Sequence, residues 1–140
     1  MTMIKIKYNA NLMKFISLFE SLTKAEVKDC FEMGERLVFI VKEGNIGKAL
    51  GKGGNNVRRL EEMLNKKLRI IEFNNDLLQF IQNVVYPLKA KDIVEEDGVI
   101  TITPPDSLTR GYLIGRGAVN LNITKGIVKR YFEIKDIKVI

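Results

Sequence analysis

The residues best suited to chemistry in this chain are Gly51-Lys52-Gly53-Gly54. Glycines tolerate positive φ and let a backbone approach a ligand with no Cβ in the way. A helix that starts directly after them offers amide groups and the positive end of its dipole to an anion, and Lys52 adds a charge at the tip. Between Ile46 and Leu60 the cations Lys48, Lys52, Arg58 and Arg59 occur with no acid among them. Such a loop can clamp a phosphodiester backbone. A glycine-rich turn between packed helices, its basic face merely solvated, is the other reading the residues allow. Two nucleotide-binding loops do not fit. No Gly-Lys here has the spacing of a P-loop, and a dinucleotide fingerprint starting at Gly51 or Gly115 needs glycine or alanine where Asn56 and Asn120 stand.

The usual catalytic equipment is missing. With no His and only Cys30, zinc spacings built on His and Cys, Ser-His or Cys-His nucleophile pairs and disulfides within the chain are excluded. Asp92, Glu95, Glu96 and Asp97 cluster around a predicted hairpin turn, where a solvated loop accounts for them and a bound divalent ion is the alternative. The expectation is no enzyme, no metal and no cofactor. At 140 residues, with 46% hydrophobic and 29% charged side chains, the composition is that of a globular protein. No apolar run approaches the ~18 residues of a membrane span. The opening MTMIKIKYNA lacks the apolar stretch of a signal peptide and is expected to belong to the fold. One thiol and no export signal predict a cytoplasmic location, where thiols stay reduced. A net charge of +6 and a pI near 9.4 favour a polyanionic partner.

The loop sits inside a unit that occurs twice. Gly34, Gly47, Gly51 and Gly53 fall on Gly98, Gly111, Gly115 and Gly117 at one offset of 64, Lys52 falls on Arg116, and LMKFI at 12–16 matches LLQFI at 77–81 at an offset of 65. An ordered set of matches marks an internal repeat, with copies at 1–73 and 74–140. In the first copy Leu12, Phe15, Ile16, Phe19 and Leu22 have helical spacing, and 27–31 and 36–41 are strand-like around Gly34. The glycine stretch then leads to Val57, Leu60, Met63 and Leu64, again helical, before a strand over 68–73. In the second copy Asp76 caps a helix that Pro87 stops, and strands are predicted at 88–94 and 99–103 with Asp97-Gly98 as the hairpin turn. Pro104-Pro105 break that strand, Asp106 begins a short helix, and a helix over 119–131 and a strand over 133–139 finish the chain. Each copy is helix, strand, strand, helix, glycine loop, helix, strand. That is an α+β layer of three strands with helices on one face.

The stretch from Ile46 to Val57, with glycines placed between two helices, resembles the KH domain, and the extra helix and strand ahead of the core resemble its prokaryotic (type II) form. Two such units in a short basic chain containing IKYNANLMKFISLFESLTKAEVKDC, VKEGNIGKALGKGGNNVRRLEEMLNKKLRIIEF and RYFEIKDIKVI resemble the archaeal NusA-like transcription termination/antitermination factors, over nearly the whole length. The resemblance implies two tandem KH domains, 1–73 and 74–140. It also implies a single-stranded RNA-binding protein that acts in termination or antitermination and meets RNA polymerase. It makes Gly51, Lys52, Gly53 and Gly54, followed by Asn55, the loop on the RNA backbone, beside a groove for about four nucleotides. Ile46, Leu50, Val57 and Ile70 would form the floor of that groove and Lys48, Arg58 and Arg69 its rim, and Gly47 is implied as a further RNA-binding residue. The floor residues read equally well as core. Arg58 also has Glu62 at i+4 as an intrahelical partner.

The second loop, Gly115, Arg116, Gly117 and Ala118, departs from the family pattern. Ala118 enters positive φ only at a cost on the order of 1 kcal/mol, which favours another shape for this loop. Arg110, Arg116, Lys125, Lys129 and Arg130 still form a run without acids between Asp106 and Glu133. The first copy holds 14 basic and 9 acidic residues and the second 9 and 8, so both loops, Gly115 to Ala118 included, are expected to bind RNA with the first dominant. The phenylalanines follow the apolar periodicity and are expected in the core, leaving Tyr112 as the aromatic placed to stack on a base. Two alternatives stay open. One is a ribosome-associated or RNA-processing KH protein; the other is a protein-docking module with vestigial loops.

Overall fold

The computed structural model describes residues 10–140; residues 1–9 of the opening segment expected to join the fold lie outside them. The chain divides into two compact units between Phe73 and Asn74, each α+β with a three-stranded sheet.

The first unit runs α1 (Ala10–Thr23), β1 (Val27–Met33), β2 (Arg36–Val41), α2 (Ile46–Leu50), a 3-10 turn (Lys52–Gly54), α3 (Asn55–Leu64) and β3 (Lys67–Glu72). β1 and β2 are antiparallel, and β2 and β3 are parallel from Arg36↔Lys67 to Val41↔Glu72. Parallel neighbours need a crossover; here α2, the glycine turn and α3 provide it. β2 carries five consecutive apolar residues, Leu37 to Val41, none more than 1% exposed. On one face Leu37, Phe39 and Val41 join Leu68 and Ile70 of β3 and pack with Phe19, Ala49 and Leu60. The Phe19 and Phe39 rings stack 4.2 Å apart. On the other face Val38, Ile40 and Ile71 are buried as well, as an unalternating apolar run demands.

Ala49 and Leu60 are fully buried, so each helix flanking the glycine turn is pinned to the core by its own anchor. Hydrogen bonds fix the entry to α2: Asn45 Oδ1 accepts from Glu26 N–H at 2.9 Å, and Glu72 Oε2 accepts from Gly44 N–H at 2.7 Å. The exit from α3 is a left-handed Asn65 (φ 52°), after which Glu61 Oε2 accepts from Leu68 N–H at 3.0 Å.

The second unit repeats the order: α4 (Leu77–Val85), β4 (Asp92–Glu96), β5 (Val99–Thr103), α5 (Ser107–Ile114), a 3-10 turn (Arg116–Ala118), α6 (Val119–Lys129) and β6 (Asp136–Val139). β4 and β5 are antiparallel and β5 and β6 parallel. Asp76 caps α4 through Gln79 N–H at 2.9 Å, and Asp106 caps α5 through Thr109 N–H at 2.7 Å. Asp97 and Gly98 both have positive φ, the mark of a two-residue hairpin turn. Phe80, Ile81, Val84, Ile100, Ile102, Ile127, Val128 and Ile137 fill the core.

Two strands are shorter than the sequence suggests. The strand expected over 88–94 starts only at Asp92, because Gln82 engages the preceding backbone: its Nε2 donates to Leu88 carbonyl at 2.8 Å and its Oε1 accepts from Ala90 N–H at 3.2 Å. The last strand starts at Asp136, not at 133, because Tyr131 and Phe132 N–H turn back to the Val128 carbonyl.

Candidate functional site

At the first glycine turn, Gly51 lies at φ 73°, ψ 173°, Gly53 at 61°, 24° and Gly54 at 74°, 16°. The chain leaves α2, reverses through three positive-φ residues and enters α3. Gly54 N–H donates back to Gly51 carbonyl at 3.1 Å, and Asn55 N–H to Lys52 carbonyl. No side chain caps the start of α3. Gly51 is obligatory for a second reason beyond its φ. A Cβ there would stand 2.7 Å from Asn56 Cγ, because Asn56 folds over the turn and its Nδ2 donates to Lys48 carbonyl at 2.9 Å. At Gly53 and Gly47 a Cβ would meet nothing within 4 Å; both face open space.

The second turn has the same path. Gly115 lies at 77°, 169°, Gly117 at 63°, 26° and Ala118 at 63°, 22°. A Cβ at Gly115 would stand 2.8 Å from Asn120 Cγ, and Asn120 Nδ2 donates to Tyr112 carbonyl at 2.9 Å. The expectation of a different shape is therefore corrected. Ala118 takes the left-handed conformation because the asparagine latch and the two helices fix the turn, and at the matching Gly54 a Cβ would meet only Arg58 Nη1 at 3.5 Å.

Lys48, Lys52, Asn55, Arg58 and Arg59 are exposed around the first turn, and Arg116 at the tip of the second. Among the described residues Lys48, Lys52, Arg59 and Arg116 enter no ion pair. Arg58 does not pair with Glu62: its Nη1 donates to Gly53 carbonyl at 2.8 Å, which braces the turn from α3. Ile46 and Ile70 are half-buried against the core, and Leu50 and Val57 are also half-buried, so these four share the roles of core and surface. Arg69 is separated from them. Strand alternation turns it to the face opposite Ile70, where burial, then the neighbouring Arg36 charge, lowers its pKa.

The KH domain family matches residues 16–86, a span that contains the first turn. The chain is 38% identical to the "Probable transcription termination protein NusA" of Methanococcus vannielii, covering 98% of this chain and 81% of that one. It is 36% identical to the protein of the same name from Methanocaldococcus jannaschii, over 99% and 77%. The chain belongs to the archaeal NusA-like family of KH-domain proteins. The crystal structure of APE1850 matches with a TM-score of 0.72 and 27% identity, covering 91% of this chain and 96% of that one.

For this NusA-like chain, two parts of the site escaped sequence reading. Asn56 and Asn120 figured only as residues that break a dinucleotide fingerprint, yet they stand at the same offset of 64 as the glycines, which is the signal that marks them as part of the turn. The Arg58 brace has no such signal, since the matching residue is Asn122. Cys30 is buried, and burial, then Asp29 and Glu32, push its thiol up to about 12, which leaves it an unreactive core side chain. Among the described residues no group of three or more His, Cys, Asp or Glu could hold a metal ion, and no helix is long and apolar enough to cross a membrane.

Proposed function

We propose that this chain is a single-stranded RNA-binding protein of transcription termination or antitermination, built from two tandem type II KH domains, 1–73 and 74–140. The turns Gly51–Gly54 and Gly115–Ala118 hold the RNA backbone, with Lys52 and Arg116 on phosphates. Ile46, Gly47, Lys48 and Asn55 line the approach to the first turn, and Arg58 acts through its brace on Gly53. Arg69, on the other sheet face, has no part in this site. The observation that carries the reading is the first turn itself: three positive-φ residues open onto α3, which no side chain caps, beside cations with no ion pair among the described residues. Such a turn suits an anion. The names of the relatives favour termination over ribosome association, and a factor acting on a nascent transcript would meet RNA polymerase. The docking alternative rests on Ala118 and on the near-neutral charge of the second copy; Ala118 keeps the path of the first turn, which supports the RNA reading over docking.

The test is a fluorescence-anisotropy titration of short single-stranded RNAs at two salt concentrations, comparing wild type with Lys52→Asp/Gly53→Asp. Gly53 suits this purpose because its surroundings are open and Asp is among the residues that tolerate left-handed φ. Wild type should bind in the micromolar range or tighter. The double variant, still folded by circular dichroism, should lose at least about tenfold, and Lys52→Ala alone should lower the salt slope by about 1. Equal binding by wild type and the double variant would refute the clamp.

A further inference from the structure

We infer that the second unit carries a base-stacking platform beside its turn, formed by Leu108, Tyr112 and Val119 with Arg116 at its edge. The inference rests on the RNA-binding reading above and adds what the second turn holds. At the offset of 64, these three residues correspond to Gly44, Lys48 and Asn55. Positions that are polar or lack a side chain in the first unit are apolar in the second, and they are 70%, 57% and 50% exposed. Leu108 and Tyr112 lie four residues apart on α5 and share a face; Val119 opens α6 directly after Ala118. None of them anchors the unit, since Leu113, Ile127 and Val128 do so from buried positions. The Tyr112 carbonyl serves the Asn120 latch, whereas its ring enters no ring contact among the described residues.

Exposed apolar surface gains by being covered, and both size and charge indicate the cover. Three side chains fall far short of the ~800 Å² per partner that a stable protein interface buries. They match one or two nucleobases. A nucleotide also brings a phosphate to the exposed Arg116 guanidinium, so one ligand satisfies both the ring and the cation. Both turns thus hold the backbone, the first beside Lys48 and Lys52 and the second through Arg116, and the second adds a surface for unstacked bases.

The full chain is titrated with an oligoribonucleotide containing 2-aminopurine and with its abasic counterpart, following anisotropy and 2-aminopurine fluorescence. Tyr112→Ala should weaken binding of the base-containing RNA by about tenfold, abolish the quenching of 2-aminopurine, and leave the abasic oligomer and the salt slope unchanged. Tyr112→Phe, which keeps the ring, should retain wild-type behaviour. If Tyr112→Ala binds the base-containing RNA as wild type does while Lys52→Asp/Gly53→Asp loses it, the platform is refuted, the clamp stands and the patch belongs to a protein partner. If wild type binds neither oligomer, the clamp reading falls and the platform with it.

Discussion

Residue for residue, Gly51–Gly54 and Gly115–Ala118 trace the same backbone, yet they stand in different company. Around the first turn Lys48, Lys52 and Arg59 carry charges that no acid among the described residues neutralises. Around the second, Lys125 is engaged by Asp136 at 2.8 Å, which holds that carboxyl below its usual range, and Arg110 donates to Ile140 carbonyl at 3.3 Å. Tyr112 takes the place of Lys48. The features in common are those that set the shape: a glycine at the first position, an asparagine folded over it, and two left-handed residues leading into a helix. The features that differ are those a ligand would meet. Shape and chemistry in this turn therefore reside in separate residues, and either can change while the other is kept.

The largest effect should come from attacking the shape, equally in both units. Gly51→Ala and Gly115→Ala each place a Cβ within 2.8 Å of the latch asparagine at a positive φ. Overpacking and left-handed strain together should destabilise each variant by about 2–4 kcal/mol, measured by urea denaturation. A neutral Gly115→Ala would break the equivalence of the turns, because it would show the second latch to be dispensable.

The parts that local chemistry decides were legible in the sequence. Asp76 and Asp106 cap helices as their position predicts, Asp97-Gly98 makes the hairpin turn, and the glycine repeat placed both loops between helices. Two misses arose where a side chain chose a partner several residues away over a nearer or more regular one. Gln82 holds Leu88 and Ala90 out of a strand. Arg58 prefers the Gly53 carbonyl to Glu62, a choice i+4 spacing does not reveal. Arg69 was assigned to the rim of a groove whose floor includes Ile70, although alternation sends neighbouring strand residues to opposite faces. Ala118 was judged by intrinsic propensity, which the fixed geometry around it overrides.

A middle-sized effect should come from the latch. Asn56→Ala and Asn120→Ala remove one side-chain hydrogen bond each, to Lys48 and Tyr112 carbonyls respectively, and should each cost about 1 kcal/mol. The two losses should add, since the turns belong to different compact units. The comparison sharpens if Asn56→Ala also weakens RNA binding while Lys52 is intact, because the turn would then depend on its shape as well as its charge. An additive stability loss with unchanged RNA affinity would assign the latch to folding alone.

The smallest effect tests the one position where the two turns differ within their backbone path. Gly54 and Ala118 share a left-handed conformation, so exchanging them alters side chain and strain while leaving the path intact. Gly54→Ala should destabilise and Ala118→Gly should stabilise, each by about 1 kcal/mol, because left-handed strain outweighs the extra freedom glycine gives the unfolded chain. At Gly54 the new methyl would meet only Arg58 Nη1 at 3.5 Å, an ordinary contact, so strain alone should set the sign. Thermal unfolding of both variants beside wild type measures it. A loss much above that size for Gly54→Ala would mean that the Arg58 brace at 2.8 Å leaves no room for the methyl. The first turn, braced from α3, would then tolerate less than the second, where Asn122 stands in place of that arginine.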